Sequence, residues 1–139
     1  MIVLDTSVLV AGMRSPAGAS ARILNRILAR DIETAASVAL CLEYEAVATR
    51  SEHLGAAGLS RDEAMTLLDA LIDAMKPTPI RWRLRPISPD PNDDLVLEAA
   101  FNAGAHTIVT NNPRDFERVS AQLGIRIVTP PVLLIELEQ

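Results

Sequence analysis

The chain is expected to fold as a three-layer α/β/α domain around a central parallel sheet. Two observations predict this. Short apolar runs of strand length alternate with amphipathic helical segments along the chain, which is the pattern of crossover-connected parallel strands. The first run, Met1 to Leu4, is unbroken by any polar residue, as in a strand buried on both faces. At 139 residues, one domain spanning 1–139 is expected.

The opening run ends in Asp5-Thr6-Ser7, three small oxygen-bearing side chains, before hydrophobicity resumes. In open α/β sheets, the carboxyl end of a strand is where ligands bind. A carboxylate placed there needs either a cation or hydrogen-bond donors. The competing reading makes Asp5 a cap for the helix that starts at Thr6. Ser15 to Gly18 reads as a loop, and Ala19 to Arg30 as a helix burying Ile23, Leu24, Ile27 and Leu28. Arg22, Arg26 and Arg30 recur every fourth residue and should line one side of it. They could form either a solvated face or a contact strip for RNA phosphates or an acidic partner.

Ile32 to Ala35 is a candidate second strand. Ser37 is the expected N-cap of a helix running to about Arg50, with Leu40, Tyr44, Val47 and Ala48 inward and Glu43 and Glu45 on different faces. Ser51 to Leu59 reads as a small-residue connection. Ser60-Arg61-Asp62-Glu63 is a capping box, and the helix it starts continues until Lys76-Pro77. Ile80 to Leu84 alternates like a strand with one wet face, and Pro86 to Pro91 is a loop. Asn92-Asp93-Asp94 opens a helix over Leu95 to Ala103, closed by Gly104. Thr107 to Val109 is a buried strand broken by Thr110-Asn111-Asn112-Pro113, with Asp115-Phe116 in one helical turn. Ile125 to Val128 is the last strand, and Pro130 begins a closing helix to about Glu138.

Composition narrows the function. A net charge of −5 argues against a protein that coats nucleic acid through a general positive field. Only four aromatic residues are present, which disfavours an extended stacking platform for bases. Of the 13 basic residues all but Lys76 are arginine, the side chain suited to local bidentate phosphate contacts. A single cysteine, Cys41, excludes an internal disulfide framework. No apolar run approaches the roughly 18 residues needed to span a bilayer. The first residues lack the basic region of a secretory signal. A cytoplasmic protein without membrane association is the expectation.

The acids carry the chemistry. Asp5 follows the first strand, Glu43 lies on the helix after the second, Asp93 starts the helix before the Thr107 strand, and Asp115 lies just beyond that strand. Parallel strands share one carboxyl edge, so these side chains can converge although they are distant in sequence. Convergent carboxylates repel unless a cation intervenes. An oxygen-only set selects hard ions such as Mg²⁺ or Mn²⁺, and His53, His106 and Cys41 make no zinc spacing.

These segments resemble the PIN-domain ribonucleases, specifically the small VapC-like toxins of bacterial toxin–antitoxin pairs. The resemblance lies in Ile2-Val3-Leu4-Asp5-Thr6-Ser7, in Ser37 to Arg50 with Leu42-Glu43-Tyr44-Glu45, in Asp90-Pro91-Asn92-Asp93-Asp94 leading to Ala100 and Gly104, and in Ile108-Val109-Thr110-Asn111-Asn112 with Asp115-Phe116. It implies a PIN-like fold and Mg²⁺-dependent hydrolysis of RNA, with Mn²⁺ as a substitute. The family's first three acids fall on Asp5, Glu43 and Asp93, with Asp94 competing for the third. Asn112 stands where the family commonly has its fourth, an aspartate, and Asp115 is the candidate replacement.

On this reading Asp5, Glu43, Asp93 and Asp115 are catalytic and hold metal together with Asn112. Thr6, Ser7, Thr110 and Asp94 support them, and Arg14, Arg22, Arg26 and Arg114 are candidates for the RNA backbone. The resemblance also implies a homodimer neutralised by a cognate antitoxin protein. Two alternatives are a catalytically weak PIN scaffold that acts through protein or RNA binding, and a phosphorylated receiver domain. The receiver lacks support, because the chain has one acid on its first loop and no lysine after Lys76.

Overall fold

A computed structural model describes residues 1–139. Five short parallel strands, β1 (Ile2–Leu4), β2 (Ala35–Ala36), β3 (Lys76–Pro77), β4 (Thr107–Val109) and β5 (Arg126–Val128), alternate with eight helices in the α/β/α arrangement. β1 pairs with β4 and β4 with β5, in the register Leu4–Val109–Val128. β2 and β3 pair separately, and a parallel bridge between Ile2 and Thr34 joins them to β1. The strand order is therefore 3-2-1-4-5. The order reverses between β1 and β4, and such a reversal opens a crevice at the carboxyl ends of the two strands.

The helices are α1 (Thr6–Arg14), α2 (Ala19–Leu28), α3 (Val38–Ala48), α4 (Ser51–Ala57), α5 (Arg61–Asp73), α6 (Pro91–Ala103), α7 (Glu117–Leu123) and α8 (Pro130–Leu137). Their starts follow local chemistry. Ser37 accepts the Leu40 amide, Ser60 and Glu63 form the reciprocal capping box, and Asp90 accepts the Asn92 amide ahead of Pro91. Gly104 closes α6 at φ 65°, the left-handed conformation glycine adopts without a Cβ clash. One core of 32 buried residues runs from Ile2 to Leu134.

Several expected elements come out differently. The second strand lies at Ala35–Ala36, with only Thr34 bridging before it. Ser51 to Leu59 is not a plain connection, since α4 occupies Ser51–Ala57. The helix from Arg61 ends at Asp73, before Lys76-Pro77, and that dipeptide pairs with β2 as β3. Beyond the 3₁₀ turn Pro113–Asp115, α7 adds two turns.

Ile80 to Leu84 is not a strand. Its amides are taken by side chains of α6: Asn102 Oδ1 accepts from Arg81 and Trp82, and Glu98 accepts from Leu84. The alternation arises because Ile80 and Leu84 are half-buried while Arg81, Trp82 and Arg83 face solvent.

The arginine strip on α2 is also broken. The helix stops at Leu28, and Arg30 sits beyond it at φ 59°, closed by the Asp31 amide donating to the Arg26 carbonyl.

Candidate functional site

Asp5 follows the last residue of β1, and its amide continues the ladder by donating to the Val109 carbonyl at 2.9 Å. It occupies the N-cap position of α1, but its side chain caps nothing. Instead Oδ2 accepts from Ser7 Oγ at 2.6 Å and from Thr110 Oγ1 at 2.7 Å. Those hydroxyls are oriented in turn: the Asn111 amide donates to Ser7 Oγ and the Asn112 amide to Thr110 Oγ1. A hydroxyl has one proton. With both protons directed at Asp5, the 3.4 Å Ser7–Thr110 approach is a contact between acceptors. The loop after β4 thus orders the carboxylate after β1 across the point where the strand order reverses. Oδ1 is left without a protein partner. Thr6, expected to share this role, bonds to no carboxylate.

Asp93 lies one turn into α6, half-buried. Its carboxyl is raised from the ordinary 3.8 to about 7, first by burial and then by the charges of Asp90, Asp5, Asp115 and Asp94. Asp93, Asp90 and Asp115 line one cleft of about 620 Å³ beside Ser88, Arg114 and Arg118. The fold therefore brings Asp5 and Asp115 each within electrostatic reach of Asp93.

Asp94 has a different task. It is 2% exposed, and it accepts from the Ile87 amide, the Ser88 amide and Ser88 Oγ, the last two at 2.7 Å. This separates the two competing acids, since Asp94 has its donors from the protein while Asp93 faces the cleft.

Glu43 is half-buried on α3 and is not among the groups that act on Asp93. Its neighbour Tyr44 is fully buried and donates its hydroxyl to the Leu4 carbonyl, which ties α3 to the strand end just before Asp5. Burial, then Cys41, then Asp5 hold the Tyr44 phenol well above its ordinary value. Asn112 is exposed at the start of the 3₁₀ turn.

The arginines divide. Arg22 is paired with Glu138 at 2.8 Å and Arg30 with Asp73 at 3.1 Å, so these two are engaged by the protein itself. Arg26 is half-buried on the last turn of α2, and Arg14 contacts His53 Nδ1 at 2.6 Å. Arg114 stands in the acidic cleft.

Sequence reasoning missed Arg118, one turn along from Arg114, because α7 was not expected. It also missed Glu98, 1% exposed and accepting from Arg85, and Asn102 beyond it. Their signal was present: Asp94, Glu98 and Asn102 are spaced by four and share one side of α6.

The PIN-domain family model matches residues 1–114, the stretch from β1 through the loop after β4. The chain belongs to the PIN-domain family. Comparison with curated proteins and with solved structures finds no match. The PIN fold is generally a nuclease fold, and its members usually use divalent metals.

The donor set of this PIN domain suits such an ion in kind, being all carboxylate, with one unpartnered oxygen on Asp5 and a repelled carboxyl on Asp93. No three acids close into a single coordination sphere. That arrangement fits an ion that keeps several of its own waters and takes only one or two carboxylates. No helix is long and apolar enough to cross a membrane.

Proposed function

We propose that this PIN domain is an Mg²⁺-dependent endoribonuclease, with Mn²⁺ as a working substitute. The observation that carries the reading is Asp93, half-buried at the cleft close to where the strand order reverses. Burial first, and then the charges of Asp90, Asp5 and Asp115, raise its carboxyl to about 7. Asp5 and Asp93 would hold the cation, with Asp115, Glu43 and the Asn112 amide reaching it only through its waters. A bound divalent cation supplies water activation and neutralises charge developing on the phosphate. Ser7 and Thr110 hold Asp5 in place, because both hydroxyls donate to Oδ2. Arg114 and Arg118 balance the acids of the cleft and offer guanidinium groups to the RNA backbone.

Asp5→Asn and Asp93→Asn should each abolish Mg²⁺-dependent cleavage of single-stranded RNA, while the circular dichroism stays that of the parent. Parental cleavage rates in the double variant would remove the assignment.

The same reading makes the chain the toxin of a toxin–antitoxin pair, acting as a homodimer on RNA in the cytoplasm. Its support is the family membership together with the VapC-like resemblance of the motifs. A small protein encoded next to it and copurifying with it would sharpen this.

A second reading, a PIN scaffold with weak catalysis, is favoured by Asn112 in place of an acid and by Glu43 standing outside the groups that act on Asp93. Calorimetric titration separates the two. No Mn²⁺ binding at millimolar concentration, with or without RNA, selects the scaffold.

A further inference from the structure

The segment from Arg81 to Ser88 crosses α6 as a strap held by side chains. Asn102 grips the Trp82 peptide on both sides, accepting its amide at 2.9 Å and donating to its carbonyl at 2.8 Å. Glu98 takes the Leu84 amide and the Arg85 guanidinium, and Asp94 takes the Ile87 and Ser88 amides. The backbone of Trp82 is therefore fixed, yet the residue is 66% exposed. Arg81 and Arg83, on either side, are exposed and take part in none of the ion pairs of the chain, although acids outnumber bases. The strap then runs into the acidic cleft, where Ser88 stands beside Asp93. Asn102 lies nine residues beyond Asp93 on α6, half a turn out of phase with it. Trp82 therefore stands on the other side of the helix, and the strap itself, six residues from Trp82 to Ser88, is what leads round to the cleft. Six extended residues reach at most about 21 Å, which covers up to about six nucleotides at ~3.4 Å each.

We propose that Trp82, flanked by Arg81 and Arg83, stacks one base of single-stranded RNA a few nucleotides from the phosphate in the acidic cleft. The proposal rests on the ribonuclease reading and adds where the strand lies. Scarce aromatics rule out an extended platform, whereas one anchored indole between two cations suffices for a single base. Stacking uses the π-face every base has, so it grips without reading sequence, and the guanidinium groups meet the adjoining phosphates.

Trp82 is the only tryptophan, so its emission reports the contact directly. The full chain in EDTA, where no cleavage occurs, is titrated with an end-labelled single-stranded 12-nucleotide RNA. Tryptophan emission and label anisotropy are followed together. Saturable quenching that tracks the anisotropy is expected, with much less for duplex RNA. Trp82→Ala should weaken RNA binding roughly 5- to 100-fold, with Trp82→Phe in between. With Mg²⁺ present, Trp82→Ala should raise KM and leave kcat near the parent value. The Arg81→Ala/Arg83→Ala pair should flatten the salt dependence of log affinity by about 1.4.

Saturable anisotropy with unchanged emission, and with Trp82→Ala within twofold of the parent, overturns the stacking site and leaves the nuclease reading standing. A Trp82→Ala variant that changes oligomeric state but not RNA affinity makes the indole a protein contact and overturns it too. RNA neither bound nor cleaved removes both.

Discussion

Two neighbouring acids on α6 make the instructive comparison. Asp93 and Asp94 share a helix turn, a residue type and the favourable positive end of the helix dipole. Asp94 is buried and surrounded by two amides and a hydroxyl, so its charge is satisfied from within and holds the strap in place. Asp93 has no such donors. It is half-buried and also meets three other carboxyls besides Asp94, and burial first, then their charge, raises it to about 7. One turn of helix thus holds both a structural carboxylate and a strained one, and the only difference is which groups the tertiary fold brings to each. A carboxylate buried without donors and repelled by its neighbours is relieved when a cation binds, whereas a satisfied carboxylate has nothing to gain from one.

Replacing each acid in turn should therefore move stability in opposite directions. Asp94→Ala strips partners from two amides and a hydroxyl, and is expected to cost about 2–3 kcal/mol, read as a lower midpoint in urea unfolding. An unchanged midpoint would mean that water or Asp90 replaces the carboxylate, and the contrast would fail. Asp93→Asn should stabilise the metal-free protein.

The sign follows from proton linkage. A carboxyl near 7 when folded and 3.8 when unfolded binds more protons in the folded state. Its contribution is thus complete below about pH 4 and is lost as pH rises to about 7. Asp93→Asn should accordingly flatten the pH dependence between about 4 and 7. At pH 8 it should gain about 1 kcal/mol, a figure reduced from the full linkage value because the carboxyl is partly solvated. Thermal melts of both proteins in EDTA at pH 5 and pH 8 measure it. Saturating Mn²⁺ should remove the advantage or reverse it.

The smallest effects concern the arginines and test the same distinction between satisfied and unsatisfied groups. Arg22→Ala breaks an exposed pair with Glu138, worth about 0.5 kcal/mol or less, and should leave RNA affinity unchanged. Arg114→Ala, in the cleft, should weaken RNA binding severalfold and lower its salt dependence by about 0.7. Equal effects from the two would place the RNA elsewhere.

How far these features were legible depends on whether their cause is local. The helix starts at Ser37, Ser60 and Asp90 and the close at Gly104 are hydrogen-bond and φ-angle choices made within four residues, so they could be read along the chain. The apolar strands at Ile2 and Thr107 were readable for a similar reason, since a strand buried on both faces leaves no polar position. Ile80 to Leu84 misled because alternation records one buried face without saying what buries it. The partner is α6, whose side chains replace a neighbouring strand. Arg30 misled because its fourth-residue spacing outlasts the helix that gives the spacing meaning.

By itself the sequence determined the alternation of strands and helices, the cap residues, and an oxygen-only set of acids, because each depends on neighbours in the chain or on residue type alone. The tertiary structure decided that Asp93 rather than Asp94 faces the cleft, that Ser7 and Thr110 join on Asp5, that Arg22 is already engaged, and that Trp82 is held outward by Asn102. Each of these is a contact between distant segments, and whether a polar group is satisfied or strained depends on the partners that folding brings within reach.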